Sequence, residues 1–151
     1  MTATNHALTG TIIGLVVGEP LIALPAALLS HFVCDAIPHF GSALPQQARL
    51  RSNNFRSYLI VEAGICVFLV ACLAFFRPEH WFLASLCAFL ATSPDLLWIN
   101  RYLKIRRGKH WKRSAYAKFA SNIQWFEKPI GAVVEAAWFV AAIITLVPFF
   151  R

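Results

Sequence analysis

The stretch "PLIALPAALLSHFVCDAIPHF", Pro20–Phe40, joins an apolar run of membrane-spanning length to three ionisable side chains spaced four apart: His31, Asp35 and His39. A spanning helix needs about 20 mostly apolar residues, and this segment supplies them. The i, i+4, i+8 spacing puts the three polar groups on one stripe of such a helix. Ionisable groups in hydrocarbon are costly and face one another or the interior of a bundle. The stripe therefore needs partners or a cation.

The rest of the chain has the same character. Of 151 residues, 58% are hydrophobic and 14% charged, and the mean hydropathy is +0.59; a soluble domain carries about 25% charged residues. These values predict a single integral membrane domain, an all-α bundle of five transmembrane helices at residues 5–18, 20–38, 58–76, 81–99 and 129–149. Pro25 is expected to kink the second helix, and Pro38 and Pro94 to disturb the ends of the second and fourth. "MTATNHALTG" has no basic region ahead of its apolar run and reads as part of a retained first helix. Cys34, Cys66, Cys72 and Cys87 all fall in apolar segments without a CxxC pair and read as small core residues; Cys34, beside Asp35, is the one with any claim as a ligand.

All of the 14 Lys and Arg residues except Arg77 and Arg151 fall in two loops, 49–56 and 101–128. By the positive-inside rule both loops are cytoplasmic, which puts the N-terminus inside and the C-terminus outside. The net charge of +7 is thus read as membrane orientation, and no nucleic-acid partner is expected. Within the basic segment 101–127, Trp111, Ala115, Phe119 and Ile123 recur every four residues beside Lys112, Arg113 and Lys118, the pattern of an amphipathic helix on an anionic leaflet.

Four of the seven carboxylates lie inside expected spans: Asp35, Glu62, Asp95 and Glu135. With the topology above, all four fall towards the cytoplasmic ends of their helices, at the level of His6 and His39; His31 lies deeper. Glu19 and Glu79, on the other face, sit in turns. Four carboxylates in a low-dielectric pocket repel one another unless protonated or neutralised, and no Lys or Arg lies inside a span. Divalent cations answer this. Imidazole beside carboxylate suits Zn, Mn or Fe, and four carboxylates match the charge of two ions. The expected metal site is His6, His31, Asp35, His39, Asp95, Glu62 and Glu135, with Glu62 or Glu135 as a non-ligating general base.

"NHALTGTIIGLVVG", with His-x-x-Thr-Gly opening the first helix, "LLSHFVCDAIPHF" and "LATSPDLLW" together resemble the inner-membrane metal-dependent hydrolase family of small helical bacterial proteins. The resemblance implies that His6, Asp35, His39 and Asp95 hold metal. The chain reads "CDAIPHF" where that family commonly ends its second helix in Pro-Asp-x-Asp-His, and it lacks the family's downstream His-Arg…Thr-His segment.

The function expected from these features is metal-dependent hydrolysis at the cytoplasmic face of the membrane, on an anionic lipid or other phosphoester that the basic loops would attract. The alternatives are a metal-ion or proton transporter, which predicts a polar trail to the outer face, and a non-catalytic scaffold whose polar groups only fix helix contacts. The outer halves "CVFLVACLAFF" and "FVAAIITLVPFF" carry no such trail.

Overall fold

The computed structural model describes the backbone of all 151 residues and every side chain but that of Gln46. Seven α-helices form among the described residues: α1 (Ala3–Val17), α2 (Pro20–Ala36), α3 (Gln46–Arg51), α4 (Asn53–Phe76), α5 (Trp81–Arg106), α6 (Ala115–Ile123) and α7 (Gly131–Leu146), the last continued by a 3-10 turn over Val147–Phe150. Two short strands, β1 (His39–Phe40) and β2 (Glu127–Lys128), pair in parallel. The expected all-α class holds apart from this bridge.

α1 is the centre of the bundle, packed against α2, α4, α5 and α7. It buries residues on every side, including Thr4, His6, Leu8, Gly10, Thr11 and Leu15, as expected of a helix that lacks an exposed face. Thr2 caps its start by accepting from the Asn5 amide, and Gly18, at φ 66°, ends it in the left-handed conformation. Glu19 then caps α2, with Pro20 at its first position.

The closest approach is between α1 and α5. A Cβ at Gly10 would lie 2.3 Å from the Cys87 carbonyl oxygen, and one at Gly14 would lie 2.4 Å from the Ala84 Cα. "GTIIG" is a GxxxG pair, and it faces Ala84, Cys87, Ala88 and Ala91, all buried. In lipid, where apolar side chains gain little by leaving their surroundings, such small-residue contact lets backbones approach and van der Waals attraction hold them.

Three helices are long and apolar enough to span a membrane: Asn53–Phe76, Trp81–Arg106 and Gly131–Phe150. Their surfaces are strongly apolar, with Phe75 81% and Phe68 69% exposed. α1 and α2 have 15 and 17 residues, or about 22 and 26 Å at 1.5 Å per residue, short of the roughly 30 Å hydrocarbon core.

The helix ends correct the sequence reading in three places. α4 begins at Asn53, not residue 58, because Ser52 caps it by accepting from the Phe55 amide. Hydropathy locates the lipid-embedded part of a helix, and the helix itself runs on. α5 likewise continues past residue 99 to Arg106, where Lys104 and Arg106 suit the negative end of the helix dipole. Pro94 therefore lies well inside α5 rather than near its end. Its missing N–H leaves the Leu90 carbonyl without its helical partner, and the Ser93 hydroxyl donates there at 2.9 Å. The amphipathic helix forms over 115–123, and its buried residues are Ala117 and Ala120. Trp111, expected on its stripe, precedes it.

Candidate metal centre

His6 on α1, His31 and Asp35 on α2, and Asp95 on α5 meet inside the bundle. His6, His31 and Asp35 are buried, and the Asp95 side chain is 36% exposed. His6 Nε2 lies 3.2 Å from Asp35 Oδ1, and His31 Nε2 lies 3.4 Å from Asp35 Oδ2 and 3.9 Å from Asp95 Oδ1. The two imidazoles stack, with centroids 4.1 Å apart. One ligand atom from each of His6, His31 and Asp95 falls within 4.8 Å of the others.

The protonation of His31 follows from its partners. Its Nδ1 lies 2.8 Å from the Ala91 carbonyl oxygen, which only accepts, so Nδ1 carries a proton. Ala91 is the neighbour of Leu90, where Pro94 interrupts the helical ladder. Nε2 then points at two carboxylates. If neutral, it presents a lone pair to negative oxygens, an arrangement that needs a bridging cation or proton. The 3.4 Å and 3.9 Å separations exceed the 2.7–2.9 Å of a charge-assisted hydrogen bond, and they approach the edge of about 3.4 Å between ligands of a tetrahedral ion with 2.0–2.1 Å bonds. Backbone hydrogen bonding through the remote nitrogen is also how metal-binding histidines are usually oriented. The residues present thus fit a divalent cation.

Asp35 has further partners. Its Oδ2 accepts from Gln124 Nε2 at 2.8 Å, and the Met1 α-amino nitrogen lies 2.5 Å from its Oδ1. Gln124 lies on the segment after α6, and no pattern in the sequence sets it apart from the other amides of the basic segment. The Asp95 carboxylate, by contrast, accepts no hydrogen bond among the described residues, and its nearest ionisable partner is His31 at 3.9 Å.

The other expected ligands lie on the wall of an adjoining cavity of about 250 Å³, which His39, Glu62, Glu135 and Asp95 all line. His39 belongs to β1, where its amide donates to the Phe126 carbonyl at 3.2 Å. A Cβ at Gly131 would lie 2.1 Å from the His39 backbone, so α7 begins directly against this residue. His39 Nδ1 lies 2.8 Å from the Ile37 carbonyl oxygen and so carries the ring proton, and burial pushes this imidazole below its usual range. A neutral ring with an unprotonated Nε2 results.

Glu62 and Glu135 grip the start of α1. Glu62 Oε2 accepts from both the amide and the hydroxyl of Thr4, each at 2.8 Å, and Glu135 Oε1 accepts from the Thr2 amide at 3.1 Å. These are orphan donors of a helix N-terminus, and carboxylates there also meet the positive end of the dipole. The group of ligand atoms within 4.8 Å contains neither glutamate, nor His39, nor Asp35, whose oxygens meet the Met1 amino group and Gln124 instead. The expectation of two ions accordingly finds ligands for one among the described residues. Cys34 lies outside the group too; its Sγ is 3.9 Å from Thr9 Oγ1.

With α4 starting at Asn53 and α5 ending at Arg106, both helices extend past the level of the cluster. Phe55, Tyr58, Trp98 and Tyr102 on these two helices form cavity walls. The cluster lies at the base of this vestibule, which Asp95 lines.

The chain matches no protein-family model, no curated protein and no solved structure.

Proposed function

We propose that this chain is a bacterial inner-membrane metal-dependent hydrolase acting on an anionic phosphoester. The N-terminus and the vestibule face the cytoplasm, as the two basic loops require. Five helices lie in the bilayer: α4, α5 and α7 cross it fully, the shorter α1 is enclosed among them and α2, and α2 packs on α1 and α5 with Leu21, Leu29 and Val33 exposed. The observation that carries this reading is His31, with Nδ1 tied to Ala91 and Nε2 aimed between Asp35 and Asp95.

His6, His31 and Asp95 would hold the ion, and Asp35, shared between both imidazoles, completes or neutralises the set. Zn, Mn or Fe suits such ligands. A divalent cation in this position supplies Lewis acidity, polarising a phosphoryl oxygen and acidifying water. The protein's own part is positional. Asp95 opens the cluster to the cavity, His39 offers a neutral imidazole on its wall as proton acceptor, and Glu62 and Glu135 remain as carboxylates beside it. Arg49 and Arg101 line the same cavity and suit an anionic group. The resemblance of residues 5–40 to a hydrolase family supports the reaction class. Against a transporter stand the apolar contacts beyond the cluster, where Leu8, Leu15, Leu73, Ala84, Ala142 and Leu146 close the bundle.

Reconstituted in liposomes, the protein is expected to hydrolyse a fluorogenic phosphodiester only with Zn²⁺ or Mn²⁺ present, and Asp95→Asn to lose about 100-fold or more of that turnover, the scale on which metal sites respond even to changes in their surroundings. Metal binding without turnover, together with uptake of the ion into sealed vesicles, would favour the transporter. Turnover independent of metal would refute the reading.

A further inference from the structure

α4 and α7 meet at one end and part at the other. Leu69 and Leu73 pack with Ala142 and Leu146, and Phe76 stands edge-on to Phe150 at 5.7 Å between centroids. Towards the metal centre a groove of about 510 Å³ opens between the two helices, within the range of small-molecule sites. Tyr58, Glu62 and Ile65 give it one face of α4, and Ala132, Ala136 and Phe139 one face of α7. These positions recur at three and four residues, so each helix turns a single stripe to the groove. The start of α1 forms its floor.

Tyr58, Glu62, Glu135 and Phe40 line both this groove and the site cavity, so the two spaces adjoin across the paired glutamates. The other side of the groove opens between apolar helix surfaces: Val61 and Val67 on α4 and Val133 and Val140 on α7 are all more than half exposed. An opening of that kind faces hydrocarbon. At the inner end the chemistry reverses. Arg49 lies over Phe55 at 5.0 Å and pairs with Glu127 at 2.7 Å, and Arg101 lies over Trp98 and Trp111 at 4.6 Å from each. Stacked guanidiniums on the cavity wall suit phosphate.

We infer that the substrate is a membrane lipid with a phosphate headgroup, which reaches the site sideways from the bilayer through the α4–α7 groove. Its hydrocarbon chain lies along Ile65, Ala136 and Phe139, and its phosphate occupies the cavity between the His31–Asp95 cluster and the two arginines. A water-soluble phosphoester has no use for a lateral apolar opening, and a neutral lipid has none for the arginines. Ala132 and Ala136 matter by being small, since larger side chains there would fill the groove. The inference rests on the metal-site reading for the chemistry and on the groove for the route.

The test is photolabelling of the full chain in vesicles doped with phosphatidylglycerol bearing a mid-chain diazirine, with a diacylglycerol of the same chain in parallel. The label from phosphatidylglycerol should concentrate at Ile65, Ala136 and Phe139, and Ala136→Trp should lower it at Ile65 and Phe139 by roughly tenfold, equivalent to about 1.4 kcal/mol of occupancy. Val133→Trp, on the lipid side of α7, should leave it unchanged. Ala136 is exposed, so the tryptophan burdens no core. Labelling spread evenly over the lipid-facing helices, indifferent to Ala136→Trp, or equal for diacylglycerol would overturn the inference. Measuring metal content and turnover of the same wild-type preparation separates the two readings: focused labelling in a wild type that binds no metal leaves the lipid groove standing and removes the hydrolase, whereas metal-dependent turnover with diffuse labelling does the reverse.

Discussion

Replacing Gly10 by leucine is expected to lower the melting temperature of the detergent-solubilised protein by about 6–12 °C, while Gly64→Leu leaves it unchanged. Gly10 meets α5 where a Cβ would lie 2.3 Å from the Cys87 carbonyl oxygen and 2.8 Å from the Ala91 Cβ. The first of these is backbone and cannot swing aside, so α1 and α5 must separate. Overpacking costs about 1–3 kcal/mol, occasionally more, and at the upper end this corresponds to the stated shift for a chain of this length. Gly64 has nothing within 4 Å of its virtual Cβ, which makes it the internal control for added bulk. The consequence reaches the candidate metal site, because the α1–α5 contact sets His6 against Asp95. A Gly10→Leu protein that melts with the wild type would show that the GxxxG contact does not hold the bundle.

Removing His31 is expected to weaken metal binding by about 100- to 1,000-fold. Structural zinc sites bind with about 10–16 kcal/mol over four ligands, or roughly 3 kcal/mol for each, and 1.4 kcal/mol is a factor of ten. Competitive titration against a chelating dye would measure the change for His31→Ala. His110→Ala serves as the control, since His110 lies outside the bundle in the segment between α5 and α6. Wild-type affinity should also fall as pH drops, because protons compete with the metal for the ligand atoms. Equal affinity in His31→Ala and the wild type would remove His31 from the site.

The sequence carried the helical class, the apolar segments and the four side chains that touch. His6, His31, Asp35 and Asp95 were legible because ionisable groups are rare inside apolar runs and each requires an explanation there. Helix ends were less legible. Polar Asn53 and Asn54 and basic Lys104 and Arg106 look like loop when hydropathy is the guide, yet Ser52 capping and dipole complementarity keep them helical. Glu62 and Glu135 illustrate a different limit. Their place inside apolar helices was readable, but their hydrogen bonds to the start of α1 depend on a long-range packing arrangement that spacing within one helix does not encode. The contact of "GTIIG" with the small residues of α5 did have a signal, the GxxxG spacing inside an apolar helix. The His39–Phe40 bridge to Glu127–Lys128 had none, because two residues are too few for a strand pattern.

Elemental analysis of the purified wild-type protein, prepared without chelator and compared with Asp95→Asn, tests the metal centre most directly. The account predicts a stoichiometric divalent transition metal in the wild type and its loss in a variant that still folds. A folded wild type free of metal would contradict it and leave His6, His31, Asp35 and Asp95 as a protonated network that only fixes the helices.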